Sequence, residues 1–127
     1  MVNVSVLGYG TIGSGVVEII RNHPEIINKR SGDNIRIKSV LDLRDFPGDP
    51  VEDVLVHDYS LIANDPEVDI VVETMGGVHP AYEFVKEALE KGKSVCSSNK
   101  ELVAAHGAEI LKVAKANHVN FFFEASV

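Results

Sequence analysis

Val2-Asn-Val-Ser-Val-Leu-Gly-Tyr-Gly-Thr-Ile-Gly-Ser-Gly-Val-Val17 decides the fold of this chain. Val2, Val4 and Val6 alternate as in a strand, the strand runs into Gly8, Gly10 and Gly13, and a helical pattern of Ile12, Val16, Ile19 and Ile20 begins at once. Glycines at G-x-G-x-x-G spacing carry weight in this strand-to-helix context. Gly8 allows the tight turn out of the strand, Gly10 lets the backbone approach a pyrophosphate with no Cβ in the way, and Gly13 lets the helix pack close on the strand. The helix start, at Thr11 and Ile12, offers free N–H groups and a positive dipole end to an anion. A dinucleotide site is the expected use of this loop.

Outward from that loop, strand and helix patterns alternate to the end of the chain. The first strand covers 2–7 and its helix 12–22, with Ile12, Val16 and Ile19/Ile20 spaced to bury one face. Pro24 to Arg30 reads as a short second helix closed by Gly32, lengthening the first crossover. Ile35 to Asp42 is nearly continuous in apolar character, as a parallel strand covered on both faces should be. After the turn-rich Phe46-Pro-Gly-Asp-Pro50 come a weak strand near Val54–Val56 and a short helix around Tyr59–Ala63. Asp69-Ile-Val-Val-Glu-Thr74 is the clearest inner strand, left through Met75-Gly-Gly77. A helix from Pro80 to Lys91 stops at Gly92, Lys93–Ser97 is another strand, and Ser98-Asn99 caps a helix over about 100–117 with Val103, Gly107, Ile110 and Ala114 on one side. His118-Val-Asn-Phe-Phe-Phe-Glu124 ends the series, with three phenylalanines expected to alternate across an inner strand. This alternation predicts an α/β fold of Rossmann type: a doubly wound parallel sheet, three layers, helices on both faces and right-handed crossovers.

Composition narrows the function classes. At 127 residues, 45% apolar and 24% charged, the chain suits one globular domain over 1–127 and leaves little room for two. A net charge of −7 argues against a general nucleic-acid binder, which needs a basic footprint. Cys96 stands alone, so no disulfide framework exists, and a reducing cytoplasmic setting is expected. The five histidines show no zinc spacing, and no leader or apolar run of about 20 residues points to a membrane.

Four blocks, in order, resemble the amino-terminal domain of homoserine dehydrogenase: Gly8-Tyr-Gly-Thr-Ile-Gly-Ser-Gly-Val16, Val72-Glu-Thr-Met-Gly-Gly77, Ser98-Asn-Lys-Glu-Leu102 and Phe123-Glu-Ala-Ser-Val127. The glycine block is shared by many oxidoreductases; the Asn-Lys-Glu-Leu helix start and the Phe-Glu-Ala-Ser-Val exit are far more selective. The resemblance implies an enzyme that uses NAD or NADP to interconvert homoserine and aspartate 4-semialdehyde, a branch step toward threonine, methionine and isoleucine. It implies too that a second domain downstream supplies the substrate pocket, the homodimer interface and a principal catalytic Lys. The apolar ending after Phe121–Phe123 fits a fragment that binds cofactor and is inactive alone. Two other classes stay open: a non-catalytic NAD(H)-sensing domain, and the cofactor domain of another related dehydrogenase. Asn99-Lys100-Glu101 weighs against the latter.

Asp42, at a strand end, is placed to accept hydrogen bonds from both adenosine ribose hydroxyls and to disfavour a 2′-phosphate, whereas Arg44 is suited to clasp that phosphate. The two signals oppose each other; the resemblance favours use of both NAD and NADP. Thr74, Met75 and Gly76 leave an inner strand at the crevice where open α/β sheets bind ligands. Lys100 opens a helix, where the dipole disfavours a cation, so an anion or carbonyl is expected nearby. The resemblance places Ser98, Asn99 and Lys100 beside the cofactor and gives Lys100 a catalytic role near nicotinamide and substrate. It also assigns Glu124 and Val127 to an incomplete monovalent-cation site, bound largely through main-chain oxygens.

Overall fold

Period-two alternation puts Val4 and Val6 on one face of the first strand and Leu7 on the other, and all three are buried. A strand covered on both faces belongs in the middle of a parallel sheet. The computed structural model describes residues 2–22 and 34–123. In it β1 (Val2–Leu7) lies between β2 (Ile35–Leu41) and β4 (Ile70–Glu73), all parallel. Outside them lie β3 (Leu55–Val56), next to β2, and β5 (Ser94–Ser97), next to β4, with β6 (Phe121–Phe123) at the far edge. The resulting order, β3-β2-β1-β4-β5-β6, reverses between β1 and β4, as in a doubly wound dinucleotide-binding sheet.

Two cores sandwich the sheet. Val17 of α1 (Thr11–Asn22) packs with Val4, Val6, Ile37, Val40 and Val51. The other core joins Leu7, Val71 and Val95 to α2 (Ser60–Ala63), α3 (Ala81–Glu90) and α4 (Lys100–Ala116) through Ile62, Val85, Leu89, Leu102 and Ile110. Each such fully buried side chain contributes about 1.5–3 kcal/mol of hydrophobic stabilisation. Ser5 and Ser39 are buried between β1 and β2, and their hydroxyls satisfy each other at 2.6 Å. Helix ends follow the sequence signals. Asn99 Oδ1 accepts the Leu102 N–H at 3.0 Å at the start of α4, and Gly92, at φ 84°, ends the turn after α3.

Three packing expectations are corrected. In α1 the buried residues are Gly13 and Val17, while Ile12 and Ile19 are 56% and 51% exposed, because the close approach of α1 to β1 is made at Gly13 and turns the apolar stripe by one residue. In α4 the buried residues are Leu102, Ile110 and Ala114, with Val103 and Gly107 only half-buried, because the face packed on the core runs through Leu102 rather than Val103. The phenylalanine strand β6 is an edge strand rather than an inner one, and Phe122 is 59% exposed. Pro50–Asp53 forms a 3-10 turn, capped by Asp49 accepting the Val51 N–H, inside the region read only as a loop. The helix expected over Pro24–Arg30 lies outside the described residues. No described helix is long and apolar enough to cross a membrane.

Candidate dinucleotide site

The carboxyl ends of β1, β2 and β4 open into one cleft of about 460 Å³, lined by Gly8, Gly10, Asp42, Arg44, Thr74 and Met75 among others. It sits where the strand order reverses, the place at which open α/β sheets bind ligands. The three glycines of the loop differ in what confines them. Gly8 leaves β1 at φ 96°, a conformation L side chains rarely adopt. A Cβ on Gly13 would stand 1.9 Å from the Gly8 carbonyl oxygen and 2.9 Å from Thr74 Oγ1, so the approach of α1 to β1 requires glycine there. A Cβ on Gly10 would meet nothing of this chain within 4 Å. Its want of a side chain therefore answers to nothing inside the protein and fits a group that approaches from outside. The first intrahelical bond at this end, Ser14 N–H to Gly10 O at 2.9 Å, leaves the preceding N–H groups of Thr11 and Ile12 at the exposed mouth of α1.

Thr74 stitches β4 to the glycine loop. Its hydroxyl lies 2.9 Å from Leu7 O and 3.0 Å from Gly8 O, so its one proton is shared between them, and its N–H donates to Leu7 O at 3.0 Å. The β1 and β4 exits are thereby one unit; Met75 lines the cleft, whereas Gly76, which follows it, is exposed and outside the lining.

Asp42 and Arg44 turn out to be partners. Asp42 Oδ1 accepts from Arg44 Nε at 3.0 Å and from the Arg44 N–H at 2.9 Å, while Oδ2 accepts from Arg44 Nη2 and from the Tyr9 N–H, each at 2.9 Å. The Arg44 guanidinium holds this carboxyl well below the usual carboxylate range, with the two backbone N–H groups adding to the effect against burial. The Asp42 side chain is only 9% exposed and the Arg44 side chain 63%. Both sequence signals are thus real side chains at one corner of the cleft, and they neutralise each other. Four donors occupy the Asp42 oxygens, so a ribose hydroxyl reaches them only as Arg44 withdraws.

Several residues at this corner escaped the sequence reading. Tyr9 donates its hydroxyl to Asp49 Oδ1 at 2.9 Å and meets the Phe46 ring edge-on, and the Arg44 guanidinium lies 5.2 Å from the Phe46 centroid. His57, just beyond β3, places Nδ1 2.6 Å from Asp42 O and Nε2 2.9 Å from Asp45 Oδ1. Both partners are acceptors, so both nitrogens donate only in the imidazolium, and the hydrogen bond to Asp42 O raises the His57 pKa despite some desolvation. Tyr59 stacks on Phe84 at 4.1 Å and, with Met75 and Pro80, gives the cleft an apolar wall. The signal for His57 was its position, after the carboxyl end of a parallel strand.

Asn99 is 4% exposed and its side chain is consumed within the protein, donating to Glu73 Oε2 and Gly77 O besides capping α4. Its main chain is paired as well, the N–H donating to Ser97 Oγ at 3.1 Å and the carbonyl accepting the Val103 N–H at 3.2 Å. Ser98 is half-buried, its N–H donating to Glu73 O at 3.3 Å. Lys100 is exposed at the first position of α4, and among the described residues nothing pairs with it, so the anion or carbonyl expected there is not supplied by them. Glu124 and Val127 lie outside the described residues, among which no group of three His, Cys, Asp or Glu is disposed to hold a metal.

Comparison with known proteins agrees with this geometry. A homoserine dehydrogenase of Bacillus subtilis is 38% identical over 99% of this chain, which spans 30% of that protein. The crystal structure of S. aureus homoserine dehydrogenase at pH 8.5 superposes with a TM-score of 0.88 at 37% identity, covering 98% of this chain and 32% of that one. The homoserine dehydrogenase of Thiobacillus denitrificans superposes with a TM-score of 0.87 at 38% identity, covering 98% of this chain and 29% of that one. The chain thus spans about a third or less of the relatives it matches. The family model described as homoserine dehydrogenase, NAD binding domain, matches residues 8–124, and the chain belongs to that family.

Proposed function

We propose that this chain binds NAD(H) or NADP(H) along the β1–α1 loop and serves as the cofactor domain of a homoserine dehydrogenase. The observation that carries the reading is the contrast within the loop: Gly13 is forced by the chain's own packing, whereas a Cβ on Gly10, which lines the cleft, would meet nothing of this chain within 4 Å. The N–H groups at Thr11 and Ile12 would hold that diphosphate, Asp42 and Arg44 would meet the adenosine ribose, and Thr74, Met75 and Gly76 would border the nicotinamide ribose. Hydride transfer is the chemistry the nicotinamide supplies when bound.

Lys100 is the residue of this chain proposed to act on the reacting end. An exposed ammonium group at the positive end of α4, with no partner among the described residues, is available to an anionic or carbonyl group that comes beside it. A substrate oxygen held over the nicotinamide would pair with it and be oriented by it. The described residues build one wall of such a cleft, so homoserine and aspartate 4-semialdehyde are proposed to bind between this domain and a following one, in a cytoplasmic homodimer. Ser98 would line the cofactor side with Asn99 holding the start of α4 behind it, and Glu124 and Val127 would contribute to a monovalent-cation site completed by later residues.

Calorimetric titration of the 127-residue chain with NADH and NADPH tests the cofactor reading. Binding of either, lost in a folded Gly10→Val variant, is expected; unchanged affinity in Gly10→Val would remove the reading. Homoserine-dependent reduction of NAD(P)+ by these residues alone is not expected, and robust turnover would overturn the division between two domains.

A further inference from the structure

Glu73, the last residue of β4, is fully buried, and among the described residues no cation pairs with it. Its carboxylate is surrounded by neutral donors. Oε1 accepts the Ser97 hydroxyl at 2.7 Å, and Oε2 accepts the Met75 N–H at 2.9 Å and Asn99 Nδ2–H at 3.3 Å. Asn99 Nδ2 donates also to Gly77 O at 2.5 Å, and the Asn99 N–H donates to Ser97 Oγ at 3.1 Å.

An apolar residue would fill this position in a parallel strand at no cost in desolvation, so retention of a buried carboxylate needs a reason. The turn that follows β4 supplies one. Gly76 and Gly77 both have positive φ, 79° and 75°, and two successive glycines give the turn little rigidity of its own. Its shape is set instead by the Met75 N–H and the Gly77 carbonyl, the one held by Glu73 and the other by Asn99. Asn99 is in turn the cap of α4, the residue that aims the helix start and Lys100.

We propose that Glu73 is a positioning residue that locks the β4 exit, Thr74–Gly77, to the β5 exit, Ser97–Lys100, so that both present a fixed surface to the nicotinamide half of the cofactor. This inference rests on the cofactor reading above. Glu73 touches neither cofactor nor substrate; it acts through Met75 and Asn99. The adenosine corner at Asp42 and Arg44 is built from other contacts and lies outside its reach.

Glu73→Gln keeps the shape and, with its NH2 turned to the Ser97 oxygen, can keep all three contacts, but it removes the charge, so the bonds from the Met75 N–H and Asn99 Nδ2 become neutral ones. Two measurements on this chain test the proposal. Amide hydrogen exchange at Met75 and Leu102 is expected to accelerate together by about tenfold, the scale of a charge-assisted bond weakened to a neutral one, with the Val6 amide unchanged. Affinity for NAD+ is expected to fall about tenfold while that for ADP-ribose, which lacks the nicotinamide, stays near wild type. Loosening at only one of the two turns, equal loss of both ligands, or wild-type behaviour in both assays would overturn it. Ser97→Ala, which removes the Oε1 donor, carries the same expectations if Glu73→Gln does not fold. Wild-type chain that binds neither NAD+ nor ADP-ribose would defeat the cofactor reading itself, while the exchange data would still decide whether Glu73 couples the two turns.

Discussion

Alanine at Gly13 adds one methyl group at the tightest point of the molecule, and the geometry sets both the sign and the size of the effect. The new Cβ would stand 1.9 Å from the Gly8 oxygen and 2.9 Å from the Gly8 carbonyl carbon. Carbon and oxygen in contact rest at roughly 3.3 Å, so α1 and the loop must part by more than 1 Å. Neither side yields easily. The Gly8 N–H is bonded to Leu41 O at 2.7 Å and its carbonyl accepts from Thr74 Oγ1, while Val17 anchors α1 in the core. Alanine in a helix gains about 1 kcal/mol over glycine. Overpacking costs about 1–3 kcal/mol and sits at the upper end or beyond when the obstacle is backbone. The net is a loss of about 2 kcal/mol, or 5–10 °C in Tm for a domain of this size. Gly10→Val is the contrast, because its Cβ meets nothing of the chain; its stability should stay within about 0.5 kcal/mol of wild type while cofactor binding is lost. Urea and thermal melts followed by circular dichroism, with calorimetry on each folded variant, read both. A Gly13→Ala melting at or above wild type would refute the packing argument.

Arg44→Ala should weaken NADP binding by about 1.5–3 kcal/mol and NAD binding far less, since it removes a phosphate partner and frees the Asp42 oxygens for a ribose; equal weakening would assign Arg44 another role. The His57 imidazole should titrate above its ordinary value of about 6.5, as read by NMR. Because the folded value is the raised one, the tie it makes between β3 and the 42–45 loop is fully present below the ordinary value and is lost as pH rises through the folded one. A midpoint at or below the ordinary value would show that one of the two hydrogen bonds is absent in solution. In the longer enzyme, Lys100→Ala should lower kcat/KM with the fold intact, and full activity would return Lys100 to the solvent-facing role of an ordinary surface lysine.

Fold class was legible because it depends on periodicity and punctuation, which are properties of the chain taken locally. The valine alternation of β1, the apolar run of β4, the apolar end of β2 at Val40 and Leu41, and the Asn99 and Gly92 helix signals each act within a few residues. The errors came where a tertiary contact overrides the local pattern. Ile12 and Ile19 carry a helical stripe, yet Gly13 forces α1 so close to β1 that its buried line runs through Gly13 and Val17. Phe121–Phe123 reads as an inner strand by hydrophobicity alone, although its place at the sheet edge is set by which strand pairs with β5.

The candidate site was half legible for a related reason. Position in a βα unit is written in the sequence, so the glycine loop, Asp42, Arg44 and Thr74 all arrive at one cleft. What a side chain does there depends on partners brought from elsewhere. Asp42 and Arg44 read as rivals for the cofactor's ribose, one repelling a 2′-phosphate and the other attracting it; three-dimensional geometry makes them a bidentate pair in which each restrains the other. A restrained arginine is a more discriminating phosphate ligand than a free one, because it leaves its carboxylate only for a partner that repays the broken pair. A 2′-phosphate carries the charge to do that, whereas a ribose hydroxyl does not. On the proposed cofactor reading, selection between the two cofactors would be a competition inside one ion pair, which neither residue announces alone.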